Sequence, residues 1–175
     1  MGNGAAMRVG PLGAWFYDST TRAAEQASLS AEVTHWNIEG KAGAIAVAVA
    51  ASWHLNNSVQ ANQHHLIQEV LGHVPDSLTK DGLRRALSVP DSCSAQDAAE
   101  VLGCGEQILS QDTVPFCLWS AQKYLDDYAG AFWSTASAFG DIDTNCAIVG
   151  SIVSVAVGKH GIPDDWLLSR EPLNG

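Results

Sequence analysis

Asp141 and Asp143 flank a single residue, and Thr144 follows directly, in the run Gly-Asp-Ile-Asp-Thr-Asn at 140–145. Two carboxylates at i and i+2 with a hydroxyl beside them put three hard oxygen donors on one short loop. Magnesium takes carboxylate, hydroxyl and water oxygens, so such a loop can wrap one or two divalent cations. A second chemistry uses the same atoms. The run stands just before an apolar segment, where Asp143 or Thr144 would satisfy free backbone N–H groups as a helix cap.

Gly2, Asn3, Gly4, Ala5 and Ala6 form a second candidate. Two glycines around an asparagine let the backbone approach a ligand closely. Successive N–H groups in such a loop can hold a phosphate without basic side chains, which suits an acidic chain. A plain turn would use the same residues. The third candidate is Thr34-His35, followed by Glu39-Gly40. His35 can donate to a ribose hydroxyl or a phosphate. Glu39 falls in the first turn of a helix, where the dipole favours an acid that has no other role. His64 and His65 are adjacent and point apart on a helix, so they read as structural or solvent-facing.

The elements that must position these residues are helical. Alanine is abundant and β-branched alternation is rare. The first sixteen residues read as a glycine-rich loop in which Pro11 bars a helix. Ser19 or Thr20 caps a helix running to about Val33, and a turn at His35-Trp36-Asn37 opens a helix over 39–55. That helix is apolar all round its middle, which belongs in the centre of a bundle. Residues 56–105 read as two or three amphipathic helices broken at Pro75 and Pro90, the last at 96–102, stopped by Gly103 and Gly105. Asp112 or Thr113 caps a helix with Pro115 in its first turn. Asp126-Asp127 opens another, with an apolar stripe of Tyr128, Phe132 and Ala136, broken at Phe139-Gly140. The helix after the Asp141–Asp143 loop runs through Val157. The pattern predicts one all-α domain, with 42–52 and 144–157 both as buried central helices.

Composition narrows the function further. The chain has 175 residues, enough for one domain with a real core. Hydrophobic residues at 46% against 16% charged mark it as globular. The net charge of -10 argues against sequence-independent nucleic-acid binding, which needs clustered Lys and Arg. Cys93, Cys104, Cys117 and Cys146 form no CxxC pair, so they read as buried, reduced thiols and not as a zinc site. The apolar runs 42–51 and 146–157 are too short to span a bilayer. Met1 leads straight into Gly2 without a secretory signal, and the expectation is a cytoplasmic protein. Nothing in the sequence fixes an oligomeric state.

In order along the chain stand Gly-Asn-Gly-Ala-Ala-Met-Arg-Val-Gly-Pro-Leu-Gly, Thr-His, Glu-Gly-x-Ala-Gly-Ala, Asp-Thr-Val-Pro, Gly-Asp-x-Asp-Thr-Asn and Ile-Pro-x-x-Trp. This ordered set resembles the ADP-ribosylglycohydrolases, over most of the chain and least between 56 and 90. The resemblance implies a compact, orthogonal, all-α bundle with a magnesium site, usually binuclear, at the base of a cleft. It implies hydrolysis of the glycosidic bond linking ADP-ribose to a protein side chain or a small molecule. It makes Asp141, Asp143 and Thr144 metal ligands, puts residues 2–6 around the diphosphate and distal parts of ADP-ribose, and sets His35 near the nucleotide. Cleavage at the anomeric carbon builds oxocarbenium-like charge. Magnesium can orient ribose hydroxyls and lower the pKa of a water.

The chain departs from that pattern at Ile142, where a small residue is usual, at Phe139, where glycine is usual, and in Trp36-Asn37-Ile38 before Glu39. Relatives also carry, upstream of the Gly-Asn-Gly loop, a Thr-Asp-Asp metal motif and acids implicated in catalysis. With only Asp141, Asp143 and Thr144, the expectation is weak magnesium binding and slow or absent turnover. Asp18, Glu39 and Asp112 are the nearest substitutes. The alternative is a non-catalytic, ADP-ribose-binding or crystallin-like structural relative.

Overall fold

The computed structural model describes residues 1–56 and 65–172; His64 lies outside them. The described residues form eleven α-helices and a short 3-10 turn, with no strand. They are α1 (Gly4–Arg8), α2 (Gly10–Trp15), α3 (Thr20–Glu32), α4 (Ile38–Asn56), α5 (Leu66–His73), α6 (Leu78–Ala86), α7 (Ala95–Leu102), α8 (Ser110–Lys123), α9 (Tyr128–Ser137), α10 (Ile142–Val157) and α11 (Asp164–Ser169). The fold is all-α, as the sequence predicts.

The centre is α4. Asn37 starts it by accepting the Glu39 N–H at 3.0 Å. Residues 42–53 are all buried, so no face is left for water. Around it pack α1, α2, α3, α5, α6, α8 and α10. Alanines make this crowding feasible, because a thin helix lets its neighbours come close. The contact is tightest at Gly13 of α2, where any side chain would run into the Ala48 carbonyl. Burial of Val47, Val49 and their like contributes about 1.5–3 kcal/mol per side chain before entropy is counted.

The N-terminal segment is helical where a loop is expected. Pro11 falls in the first turn of α2, where its missing N–H is no loss. The glycines there serve close packing: a side chain at Gly10 would meet Ser151 of α10. The second central helix is also corrected. Ile148, Val149, Ile152 and Val153 of α10 are buried, but Ala147 is exposed and the last turn from Ser154 to Val157 is half-buried. The helix is apolar beyond what its packing requires.

A third difference concerns α8. It begins at Ser110 after Leu109, not at Asp112 or Thr113, so Pro115 lies inside it. The reason is tertiary. Gly2 and Leu109 form an isolated bridge, and Ser110 donates from its backbone N to the Met1 carbonyl at 2.9 Å and from Oγ to the Gly2 carbonyl at 3.1 Å. That pairing fixes 109–110 and brings the helix start forward. In α9 the buried residues are Ala131 and Thr135, not the expected stripe. Tyr128 and Phe132 are half-buried and meet Trp166 of α11, with ring centroids 5.9 and 5.2 Å apart.

The turn between α9 and α10 is strained at one residue. Phe139 has φ +62° and Gly140 φ +69°. Glycine tolerates this region, whereas a bulky residue loses about 1–2 kcal/mol in it. The Phe139 ring is 68% exposed, so packing returns little. Phe139→Gly is therefore expected to stabilise the protein by up to about 1 kcal/mol, after the entropy that glycine adds to the unfolded chain. Urea unfolding checks this. A lower midpoint for the variant would mean that the ring packs more than its exposure indicates.

Candidate functional site

The Asp141–Asp143 loop is held from behind by one carbonyl. Cys104 O accepts from Asp141 N at 3.0 Å and from Asn145 Nδ2 at 2.7 Å. Gly140 is required here twice: its φ is positive, and a Cβ would strike the same carbonyl. Asp141 takes the position before α10 but its side chain does not cap the helix. Instead Asn3 Nδ2 donates to Asp141 Oδ2 at 2.8 Å and to Thr113 Oγ1 at 3.1 Å. Thr113 Oγ1 in turn donates to the Leu109 carbonyl at 2.8 Å.

Asn3 is 3% exposed, and both of its amide protons are used. Like Asp141, it precedes a helix without capping it. Four segments thus meet at one point: the N-terminus, the loop before α8, the start of α8 and the start of α10. Each bond replaces water around a buried polar group, so each loss would be costly.

The other sequence-predicted residues are distributed around this point. Gly2 and Gly4 lie against His35: Cβ atoms built on them would stand 3.4 and 3.2 Å from its Nε2. Ala5 and Ala6 are at 1% and 0% exposure, with their methyl groups in the core. Residues 4–6 form the first turn of α1, where N–H groups have no partner within the helix. Thr144 is buried, with Oγ1 3.6 Å from Met7 Sδ. Asp143 is exposed.

The two carboxylates line different depressions. Asp141 borders a cleft of 460 Å³ with Gly105, Glu106, Ile108 and Gly140. Asp143 borders a groove of 570 Å³ with Tyr128, Phe132 and Cys146. Among the described residues, no three His, Cys, Asp or Glu side chains are grouped to hold a metal ion. Asp141, Asp143 and Thr144 carry the oxygen donors that magnesium prefers, but Thr144 is buried and the two carboxylates face different depressions.

The substitute acids are committed elsewhere. Glu39 is buried, and its carboxylate accepts from Leu78 N, Thr79 N and Thr79 Oγ1 at the start of α6. Asp112 Oδ2 accepts from Gln107 N at 2.8 Å. Asp18 pairs with Arg22 on the surface.

Sequence reasoning missed Glu106, which borders both the Asp141 cleft and a neighbouring depression of 420 Å³. The signal was Gly103 and Gly105, each at φ +87°, a turn that a helix stop alone does not need. Cys117 and Cys146 are buried as expected, whereas Cys93 and Cys104 are only half-buried. Burial and then the Glu106 and Asp112 charges push Cys104 up, and burial with Asp143 raises Cys146 to about 11. Burial drives Cys117 well above the usual thiol value. His35 moves the other way: burial, then Arg8, then the terminal amine hold its pKa below the ordinary histidine value.

An all-helical domain that clamps an Asp-x-Asp-Thr loop against a Gly-Asn-Gly segment defines a class, and comparison with known proteins gives the class a family. A family model described as ADP-ribosylglycohydrolase matches residues 1–173. An Archaeoglobus fulgidus protein bearing only the name "uncharacterized protein" is 35% identical over 168 residues, 94% of this chain and 52% of that one. ADP-ribosylhydrolase ARH3 of Homo sapiens is 27% identical over 199 residues, 97% of this chain and 54% of the relative. Its Bos taurus counterpart is 27% identical over 201 residues, 97% and 53%. The chain belongs to the ADP-ribosylglycohydrolase family. It spans about half the length of the curated relatives it matches. No helix among the described residues is long and apolar enough to cross a membrane.

Proposed function

We propose that this chain carries the ADP-ribose-binding end and part of the magnesium site of a hydrolase. That hydrolase cleaves the glycosidic bond between ADP-ribose and a modified side chain or small molecule. The observation that carries the reading is the Asn3–Asp141 hydrogen bond, a contact between residues 138 apart in sequence. Gly2 and Gly4 flank Asn3 and lie against His35, so these residues are neighbours of the first carboxylate of the Asp-x-Asp-Thr loop. Family membership and the likeness to proteins named ADP-ribosylhydrolase support the reaction class.

In this reading Asp141, Asp143 and Thr144 would hold magnesium, which when bound would supply Lewis-acid stabilisation and a more acidic water. The backbone at 2–6 and His35 orient the nucleotide. Asp141, Asp143 and Thr144 would provide about three protein oxygens towards the metal shell, and the candidate substitutes Glu39 and Asp112 are already hydrogen-bonded.

Release of free ADP-ribose from ADP-ribosyl-arginine and ADP-ribosyl-serine, with magnesium and with EDTA, tests the reading. The expected result is slow or undetectable release by this chain, with any release lost in EDTA. Release that is equal in EDTA would contradict the magnesium role. Fast release that both Asp141→Ala and Asp143→Ala abolish would contradict the donor count, and would mean that this chain or a second copy completes the site.

A further inference from the structure

The structure assigns Thr34 a positioning role: held by Arg8, it fixes His35 in the tautomer that carries its proton on Nε2, facing the backbone at Gly2 and Gly4. Thr34 Oγ1 lies 2.9 Å from Arg8 Nη2 and 2.8 Å from His35 Nδ1. A guanidinium can only donate, so Arg8 takes a lone pair of Oγ1. A second guanidinium bond, from the same Nη2 to the Ser30 carbonyl at 3.0 Å, anchors Arg8 in that position. An oxygen already accepting from a cation is a poorer acceptor and a better donor, because hydrogen bonds in a chain polarise one another.

Thr34 therefore donates its single proton to Nδ1, and Nε2 carries the ring proton. A protonated imidazole would set a second cationic donor against Oγ1 beside Arg8; burial first and the Arg8 charge second already hold the His35 pKa down. The other end of the ring is placed by glycine. A Cβ at Gly4 would press on Nε2 at 3.2 Å, and one at Gly2 would stand in ordinary contact with it at 3.4 Å. An Nε2–H beside backbone that carries no side chain can donate to an acceptor oxygen of a ligand. That last step, with ADP-ribose as the ligand, rests on the function proposed above; the tautomer does not.

The experiment is nitrogen-15 NMR of the imidazoles at neutral pH, with His35 identified among the six histidines by His35→Gln. Wild type and Thr34→Ser are expected to show a proton-bearing Nε2 and an acceptor Nδ1. Thr34→Val is expected to show averaged tautomers, with unchanged thermal unfolding because Thr34 is exposed. ADP-ribose should bind roughly fivefold more weakly to Thr34→Val and within about twofold of wild type to Thr34→Ser, the scale of one hydrogen bond. A proton on Nδ1 in wild type, or a Thr34→Val spectrum identical to wild type, overturns the positioning role. A correct tautomer in a protein whose His35 resonances ignore ADP-ribose leaves Thr34's role standing and overturns the ligand.

Discussion

Glu39→Ala should destabilise the protein by about 3–5 kcal/mol, because it strands three donors, two of them on the fully buried Thr79. Glu39 is 5% exposed. Its Oε1 accepts from Leu78 N at 2.9 Å, and its Oε2 from Thr79 N at 2.9 Å and Thr79 Oγ1 at 2.8 Å. Ser77 Oγ accepts the next N–H, from Lys80, at 3.1 Å. Together they satisfy the first-turn N–H groups of α6, which have no partner within the helix. The carboxylate thus belongs to two helices at once, since its own backbone starts α4. Glu39→Gln keeps one acceptor oxygen and replaces the other with a donor facing donors, so about half of the loss is expected. Chemical unfolding measures both. A Glu39→Ala protein as stable as wild type would contradict the capping role, and a loss of magnesium binding in Glu39→Gln would return this acid to the metal site.

Glu39 also illustrates what the sequence could and could not convey. Its place in a first helical turn is a local signal, and the sequence shows it. Its partner lies 40 residues on at Thr79, and no periodicity carries that pairing. The same division holds elsewhere. The helix α4 is legible because an all-round apolar segment has only one place to go. Ser19 is legible as a cap because it accepts a local N–H, that of Arg22. The start of α8 is not, since pairing with Gly2 fixes it across more than a hundred residues. Nor are α1 and α2, because glycine and proline signal a loop in sequence but here serve close packing and a first turn. Within the site, the meeting of residues 2–6 with Asp141 follows from the family resemblance and not from any local pattern. The parts played by Thr113 and Glu106 emerge only once the helices are packed.

Removing the Asp141 side chain should have the largest effect on ligand chemistry, and two substitutions separate its charge from its hydrogen bond. Asp141→Ala takes away the acceptor for Asn3 Nδ2, a buried donor whose loss of partner costs about 1–3 kcal/mol. It also removes a carboxylate from a donor set that is already small. Asp141→Asn can still accept from Asn3 through its amide oxygen, so the fold should be nearly as stable as wild type. It no longer offers magnesium a charge. Metal affinity should fall at least about tenfold in both variants, the scale at which even indirect changes to a metal site are felt. Equal magnesium affinity in wild type and Asp141→Asn would remove Asp141 from the metal set, whatever its part in the fold.

Titration of the isotopically labelled chain with ADP-ribose, with and without magnesium, tests the central claim most directly. The account predicts saturable shifts at Gly2, Gly4, His35 and Asp141, with tighter binding in magnesium that Asp141→Asn no longer shows. Shifts confined to a remote face such as α5 and α6, or no binding in either condition, would contradict it.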